Sequence, residues 1–277
     1  MMKFLSKFYI AIIFALLYAP IVVLIVFSFN DGGSLSEFTK ISFKWYGELF
    51  RDEAALTALK NSLVLAVCSS LMATAIATFA ALGLHHMKKK YFKGAITSIT
   101  NIPMMNPDIV TGVSMMLLFV AVVGILKKAG VNNADRFFGF GTMLIAHTTF
   151  NLPYALLSIT PRFNQLDKSL SEAAQDLGCT PSKAFFKVEL PEIIPGIVSG
   201  LMMSFTLSLD DFVISHFVSS PNFQTLPLYV YNQTVHNVKF SMYALCALIV
   251  AIILAILLTV NFTGSVKDKK KSKGGAK

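Results

Sequence analysis

Apolar residues run through this chain in long blocks, and the polar residues gather between them. Six blocks stand out, at 8–29, 62–84, about 96–126, 140–160, 192–220 and 241–262. A helix needs roughly 20 mostly apolar residues to cross a hydrocarbon core about 30 Å thick. The pattern therefore predicts an all-α, polytopic membrane protein with six transmembrane helices, forming a single transmembrane domain over 1–277. The first, second, fourth and sixth blocks are simple spanning lengths. The third contains Pro103 and Pro107 and would be about 46 Å long as one continuous helix at 1.5 Å per residue. The fifth holds Asp210 and Asp211.

Composition agrees with lipid as the solvent. Of the 277 residues, 55% are hydrophobic and 14% charged, where a soluble domain carries about 25% charged residues. Lys3 and Lys7 ahead of an apolar stretch resemble a secretory signal. That stretch is too long for a signal's apolar region and no A-x-A-like site follows, so it is expected to be a retained first span. Cys68, Cys179 and Cys246 have no ligand or disulfide spacing and read as small buried or interfacial thiols. The net charge of +9 is explained by topology. Six spans put both termini on one side, and that side holds 16 of the 24 Lys and Arg residues, including a basic tail over 263–277. The positive-inside bias makes it cytoplasmic. Nucleic-acid binding is not needed to account for the charge.

The longest cytoplasmic connection, 161–191, carries its own punctuation. Ser169 and Glu172 have capping-box spacing. Gly178 stands where a short helix would stop, and Thr180-Pro181 restarts a second helix carrying Phe185 and Phe186. Leu190-Pro191 closes it. Aromatic residues on a short cytoplasmic helix suit either a groove on a partner or the membrane surface. No G-x-x-x-x-G-K-[ST] occurs, so any nucleotide hydrolysis would belong to another polypeptide.

Beyond Glu192 at the edge of the fifth block, three carboxylates, Asp108, Asp210 and Asp211, fall inside the expected spans, and no Lys or Arg does. Each costs roughly 2.5–3.5 kcal/mol on insertion scales. They could be protonated, pair with a second subunit, hydrogen-bond between helices, or line a wet path for a cation. Their single sign of charge favours the path. Counting along the spans puts Asp108 in the inner half, with Asn106 as its helix cap, and the doublet towards the outer leaflet. Such a spacing suits a cation handed inward in steps. Lys44-Trp45-Tyr46 contains the only tryptophan, whose face could hold an ammonium group or anchor the interface. His147 and His216 read as polar helix-packing residues rather than proton relays. No metal motif or nucleophile–base pair marks an enzyme.

EAA at Glu172, Ala173 and Ala174, then Gly178, Val188 and Leu190-Pro191, resembles the EAA loop of ABC-importer permeases, with Val188 in place of the usual isoleucine. The segments APIVVLIVFSFN, KWY, NPDIV, EAAQDLG, LSFTLSLDDFVISHFV and LPLYVY are similar to the C-subunit permeases of spermidine/putrescine ABC importers. That resemblance implies a type I ABC importer permease (MetI-like) fold in a bacterial inner membrane. It also implies a sibling permease, two cytoplasmic ATPase subunits and an extracytoplasmic polyamine-binding protein as partners. The chain itself would need no cofactor, ATP and Mg being held by the ATPases. Asp108, Asp210, Asp211, Trp45 and Tyr46 would then serve the substrate. Glu172, Ala173, Ala174, Gly178, Phe185, Phe186, Leu190 and Pro191 would serve coupling. The alternatives are a permease for another solute, such as ferric ion, an amino acid or another cation, or an ATP-independent channel or structural membrane protein.

Overall fold

The computed structural model describes residues 2–32, 37–130, 138–221, 223–236, 239–252 and 254; the basic tail lies outside them. Among the described residues the regular structure is helical, with two isolated β-bridges, Asn30 to Ile41 and Ser220 to Phe223. In chain order the helices are α1 (Met2–Ser28), α2 (Lys44–Leu49), α3 (Glu53–His86), α4 (Lys90–Met105), α5 (Asp108–Lys128), α6 (Phe140–Gln165), α7 (Lys168–Asp176) and α8 (Pro181–Ala184). A π-helical turn, Phe185–Glu189, leads into α9 (Leu190–Asp210), followed by α10 (Val213–Val218) and α11 (Leu226–His236). The described part of the last apolar block is α12 (Ser241–Ile252).

Four of these segments are long and apolar enough to cross a membrane: Lys7–Ser28, Glu53–His86, Asp108–Lys128 and the continuous run Pro181–Asp210. α6 spans 26 residues but buries Thr142, His147, Thr148 and Asn151. These lie on the face of α6 turned into the protein, while Ile145 and Leu157 are exposed, so the helix tolerates polar residues that a wholly lipid-facing helix would exclude. The expected third span is divided. Pro107 has no N–H to donate and disfavours helical backbone at the residue before it. Asn106 is accordingly extended (φ −82°, ψ 140°), and the 96–126 block becomes the end of α4 plus α5. The fifth block, 192–220, is divided too, with α9 ending at Asp210 and Asp211 extended (φ −67°, ψ 118°).

The chain groups into two compact units, one of 1–56 with 230–277 and one of 57–229. In the first, the apolar part of α1 has no buried residue, leaving a surface that lipid or a neighbouring subunit would cover. In the second, α6 and α9 form the main seam. Small residues let their backbones approach, as is usual for helices in lipid. A Cβ added at Gly200 would lie 3.3 Å from the Ala155 carbonyl and 3.4 Å from its Cα, and one at Gly196 would meet the Arg162 side chain at 2.6 Å. Ala77 and Ala81 of α3 join Ala155, Ile159, Phe163 and Ile193 in a fully packed core. A second core joins Leu65, Phe119, Met143, Phe150, Ile214 and Val218. Gly200→Leu should therefore destabilise the chain by about 1–3 kcal/mol through overpacking, read as loss of thermal stability in detergent. Gly83→Ala, where an added Cβ meets nothing within 4 Å, should leave it unchanged.

Candidate functional site

The two adjacent acids have different surroundings. The Asp211 carboxylate accepts hydrogen bonds from the backbone N–H of Ile214 (3.2 Å) and Ser215 (2.8 Å), which fixes the first turn of α10. Its Oδ2 lies 3.5 Å from His147 Nε2, with the side chains 8% and 1% exposed. Asp210, one residue earlier, is exposed and has no hydrogen-bond or ion-pair partner among the described residues. A helix end followed by an extended residue separates the pair, leaving Asp211 tied into the fold and Asp210 open. The count of span residues, limited to Lys and Arg, missed the basic side chain that meets Asp211: it is His147.

His147 also meets Ser208 Oγ through Nδ1 at 2.8 Å and Ser215 Oγ through Nε2 at 3.2 Å. Ser208 Oγ is 2.9 Å from Ser69 Oγ. An ionised Asp211 can only accept, which assigns the Nε2 hydrogen to its side and leaves Nδ1 to accept from Ser208. About one turn away on each helix, towards the Ala155–Gly200 level, Asn151, Ser204 and Thr74 are buried, and their side-chain polar atoms have no hydrogen-bond partner among the described residues. The seam thus changes from polar at the His147 level to apolar at the Ala155–Gly200 level.

Asp108 sits in the first turn of α5, where the positive end of a helix favours a carboxylate. The cap position is Pro107, which offers no side-chain hydrogen bond, so Asn106 is not the cap. One turn on, Gly112 admits α10: a Cβ there would lie 2.8 Å from the Phe217 ring and 3.5 Å from the Val213 carbonyl. Asp108 is about 6 Å along the axis from that crossing. The start of α10, two residues after Asp211, therefore packs about one turn along α5 from Asp108. His216, exposed on α10, stacks against Phe212 at 5.5 Å.

Trp45 and Tyr46 belong to the other unit, and both have structural work. The Trp45 indole N–H donates to the Asn30 carbonyl at 2.6 Å and its ring packs on Phe240 at 5.3 Å. The Lys44 ammonium lies 4.8 Å from the Trp45 ring centroid. Tyr46 shares a 2.9 Å hydrogen bond with Ser28 and packs on Phe29 at 5.3 Å. Asn30, fully buried, accepts from Thr39 N–H at 2.9 Å and donates to the Glu37 carbonyl at 2.8 Å. Asn30 was not singled out by sequence, because an asparagine at the end of an apolar block reads as ordinary loop chemistry.

The 161–191 hairpin follows its sequence punctuation with two changes. Gly178 adopts φ +87°. Its N–H donates to Gln175 at 2.8 Å while Cys179 N–H donates to Ala174 at 3.0 Å, the paired closure that ends a helix on a left-handed glycine. Thr180 caps α8 with Pro181 in the first turn. The first change is at the start of α7. Asp167, rather than Ser169, is the cap, accepting from Ser169 N–H at 3.0 Å, which holds the Asp167 carboxyl below its ordinary range. The second separates the aromatic pair. Phe185 is buried in the core with Phe163 and Ile193, leaving Phe186 exposed. Glu172 and Ala173 are exposed, Ala174 is half-buried, Leu190 packs on the core and Pro191 is exposed. Beside the hairpin is a cavity of about 550 Å³, with Asp167, Glu172 and Glu189 on one wall and His85, Lys88 and Lys93 on the other.

The family described as binding-protein-dependent transport system inner membrane component matches residues 73–264, a stretch that contains the acids, His147 with Ser208 and Ser215, and the hairpin. The chain belongs to this family. It is an inner-membrane transport component, and its fold is that of an ABC importer permease. Its curated relatives include the putrescine transport system permease protein PotI of Escherichia coli K12, 39% identical over 240 residues, covering 87% of this chain and 83% of that one. The spermidine/putrescine transport system permease protein PotC of Haemophilus influenzae is 34% identical over 251 residues, covering 90% and 92%. Among solved structures, a chain of a bacterial ABC transporter involved in the import of the acidic polysaccharide alginate superposes with a TM-score of 0.75 over 94% of each chain, at 19% identity. At that identity the likeness is one of fold.

Within the permease, Asp211→Ala should lower stability by about 2–3 kcal/mol, by removing a helix cap and leaving a buried histidine unpaired. Asp210→Ala should not. Thermal unfolding of the two variants in detergent checks the difference.

Proposed function

We propose that this permease is one half of the membrane pathway of an ABC importer that carries polyamines, spermidine or putrescine, into the cytoplasm. The observation that carries the reading is Asp210, exposed and without a partner among the described residues, next to a doublet partner already hydrogen-bonded by the fold, with Asp108 in the first turn of α5, the helix on which α10 packs. A linear polycation has ammonium groups separated by methylene spacers and suits two carboxylates separated by apolar surface. The relatives named for putrescine and spermidine transport support the same substrate class. Trp45 and Tyr46 enter this reading only as braces of the segment after α1.

The positive-inside bias supports both termini and the α7–α8 hairpin on the cytoplasmic side, where the exposed Glu172, Leu177 and Phe186 offer a docking face for an ATPase. The remaining partners are a sibling permease, a second ATPase and an extracytoplasmic binding protein, and ATP is hydrolysed on the ATPases. The run Pro181–Asp210 is one continuous helical segment, about 45 Å long at 1.5 Å per residue. Movement imposed at the hairpin is delivered along that segment to the acids at its far end.

Asp210→Asn and Asp108→Asn should each reduce polyamine uptake at least about tenfold, the loss expected for one charge-assisted hydrogen bond, in cells making normal amounts of the assembled transporter. Labelled uptake should be displaced by unlabelled spermidine and putrescine, and not by ferric ion or amino acids. Full uptake by either variant, or displacement by ferric ion or an amino acid, would overturn the reading.

A further inference from the structure

His147 is joined to both sides of the break between α9 and α10. Its Nδ1 meets Ser208, three residues before Asp211, at 2.8 Å. Its Nε2 meets Ser215, four residues after Asp211, at 3.2 Å, and stands 3.5 Å from the Asp211 carboxylate itself. That carboxylate in turn holds the amides of Ile214 and Ser215. The imidazole is 1% exposed and its position is fixed from behind by α6, where Met143, Ala146 and Phe150 are core residues. A rigid ring with polar atoms at opposite edges thus staples the two helix ends at a set separation and angle.

The residue whose position this determines is Asp210. It is the last residue of α9, and among the described residues no partner of its own holds it. We propose that His147 is a positioning residue for the cation site. It does not touch the substrate, but by stapling Ser208, Asp211 and Ser215 it presents the Asp210 carboxylate in one place. This rests on the reading of Asp210 as a polyamine ligand and adds what makes that ligand selective for a passing ammonium group. A carboxylate on a loosened turn must be ordered at each binding event, which weakens its hold. A weak hold lets the transporter cycle without cargo.

The readout is therefore polyamine carried per ATP hydrolysed, measured with the complete transporter in proteoliposomes and saturating polyamine-loaded binding protein. Loss of packing alone lowers transport and ATP hydrolysis together and leaves their ratio intact. His147→Leu keeps the bulk and removes both polar edges, whereas His147→Gln keeps a two-ended polar group. His147→Leu should lower the ratio about tenfold with ATP hydrolysis per complex within about twofold of the parent, and His147→Gln should restore most of it. Asp210→Asn should lower the ratio as far, and the double variant His147→Leu with Asp210→Asn should go no lower, since residues acting through one another are non-additive. Where His147→Leu fails to assemble, Ser208→Ala and Ser215→Ala each remove one end of the staple and should lower the ratio about threefold. An unchanged ratio in the His147 or serine variants, or a further fall in the double variant, overturns the proposal while leaving Asp210 as a ligand. An unchanged ratio in Asp210→Asn alone overturns the polyamine-site reading on which it stands.

Discussion

A carboxylate cannot be enclosed in an apolar helix bundle unless donors meet it, and meeting Asp211 shapes the α9–α10 end of the larger unit. Two of its donors are backbone amides, so α10 must begin there. The third group is His147, so α6 must present a polar face at that level. Ser208 and Ser69 extend that face onto α9 and α3. α9 ends where it does because the next residue is committed to these contacts, and Asp210 is left outside them.

The same helix carries the other half of the mechanism. α9 continues through the π turn Phe185–Glu189 from α8, so the hairpin and the acid doublet are opposite ends of one segment. The π turn places Phe185 and Glu189 inside the protein, which ties the hairpin to the core. Gly196 and Gly200 then bring the segment into close register against α6. On the proposed coupling, a displacement of the hairpin would be a displacement of α9 against α6, and the staple at its far end would set how faithfully the acids follow.

Much of this was legible in the sequence where chemistry is local. Gly178 and Thr180-Pro181 announce a helix stop and restart because a left-handed turn and a missing amide leave few other options, and both are found in place. The apolar blocks announced the membrane. What was not legible depended on faces and partners. Adjacent aspartates look equivalent in a string, and only the extended backbone at Asp211 separates their roles. His147 read as packing because its partners, Ser208, Asp211 and Ser215, lie more than 60 residues away around the break between α9 and α10. Phe185 and Phe186 looked like one aromatic knob, but neighbouring helical residues point about 100° apart, and one is core. The third block read as a single long span because apolar residues continue across Asn106-Pro107, where proline's missing donor breaks the helix. Ser169 and Glu172 have ideal cap spacing, yet Asp167, two residues earlier, gives a charged acceptor and starts the helix first.

The central claim is that an open Asp210, held in place by a satisfied Asp211, receives one ammonium group of a polyamine. The most direct measurement is a structure of the assembled transporter stalled with spermidine in its membrane cavity. The account predicts an ammonium nitrogen within about 2.7–2.9 Å of the Asp210 carboxylate, the distance of a charge-assisted hydrogen bond, with Asp211 still bound to His147 and to the α10 amides. Spermidine bound elsewhere, with Asp210 paired to a lysine or arginine of a neighbouring subunit, would contradict it.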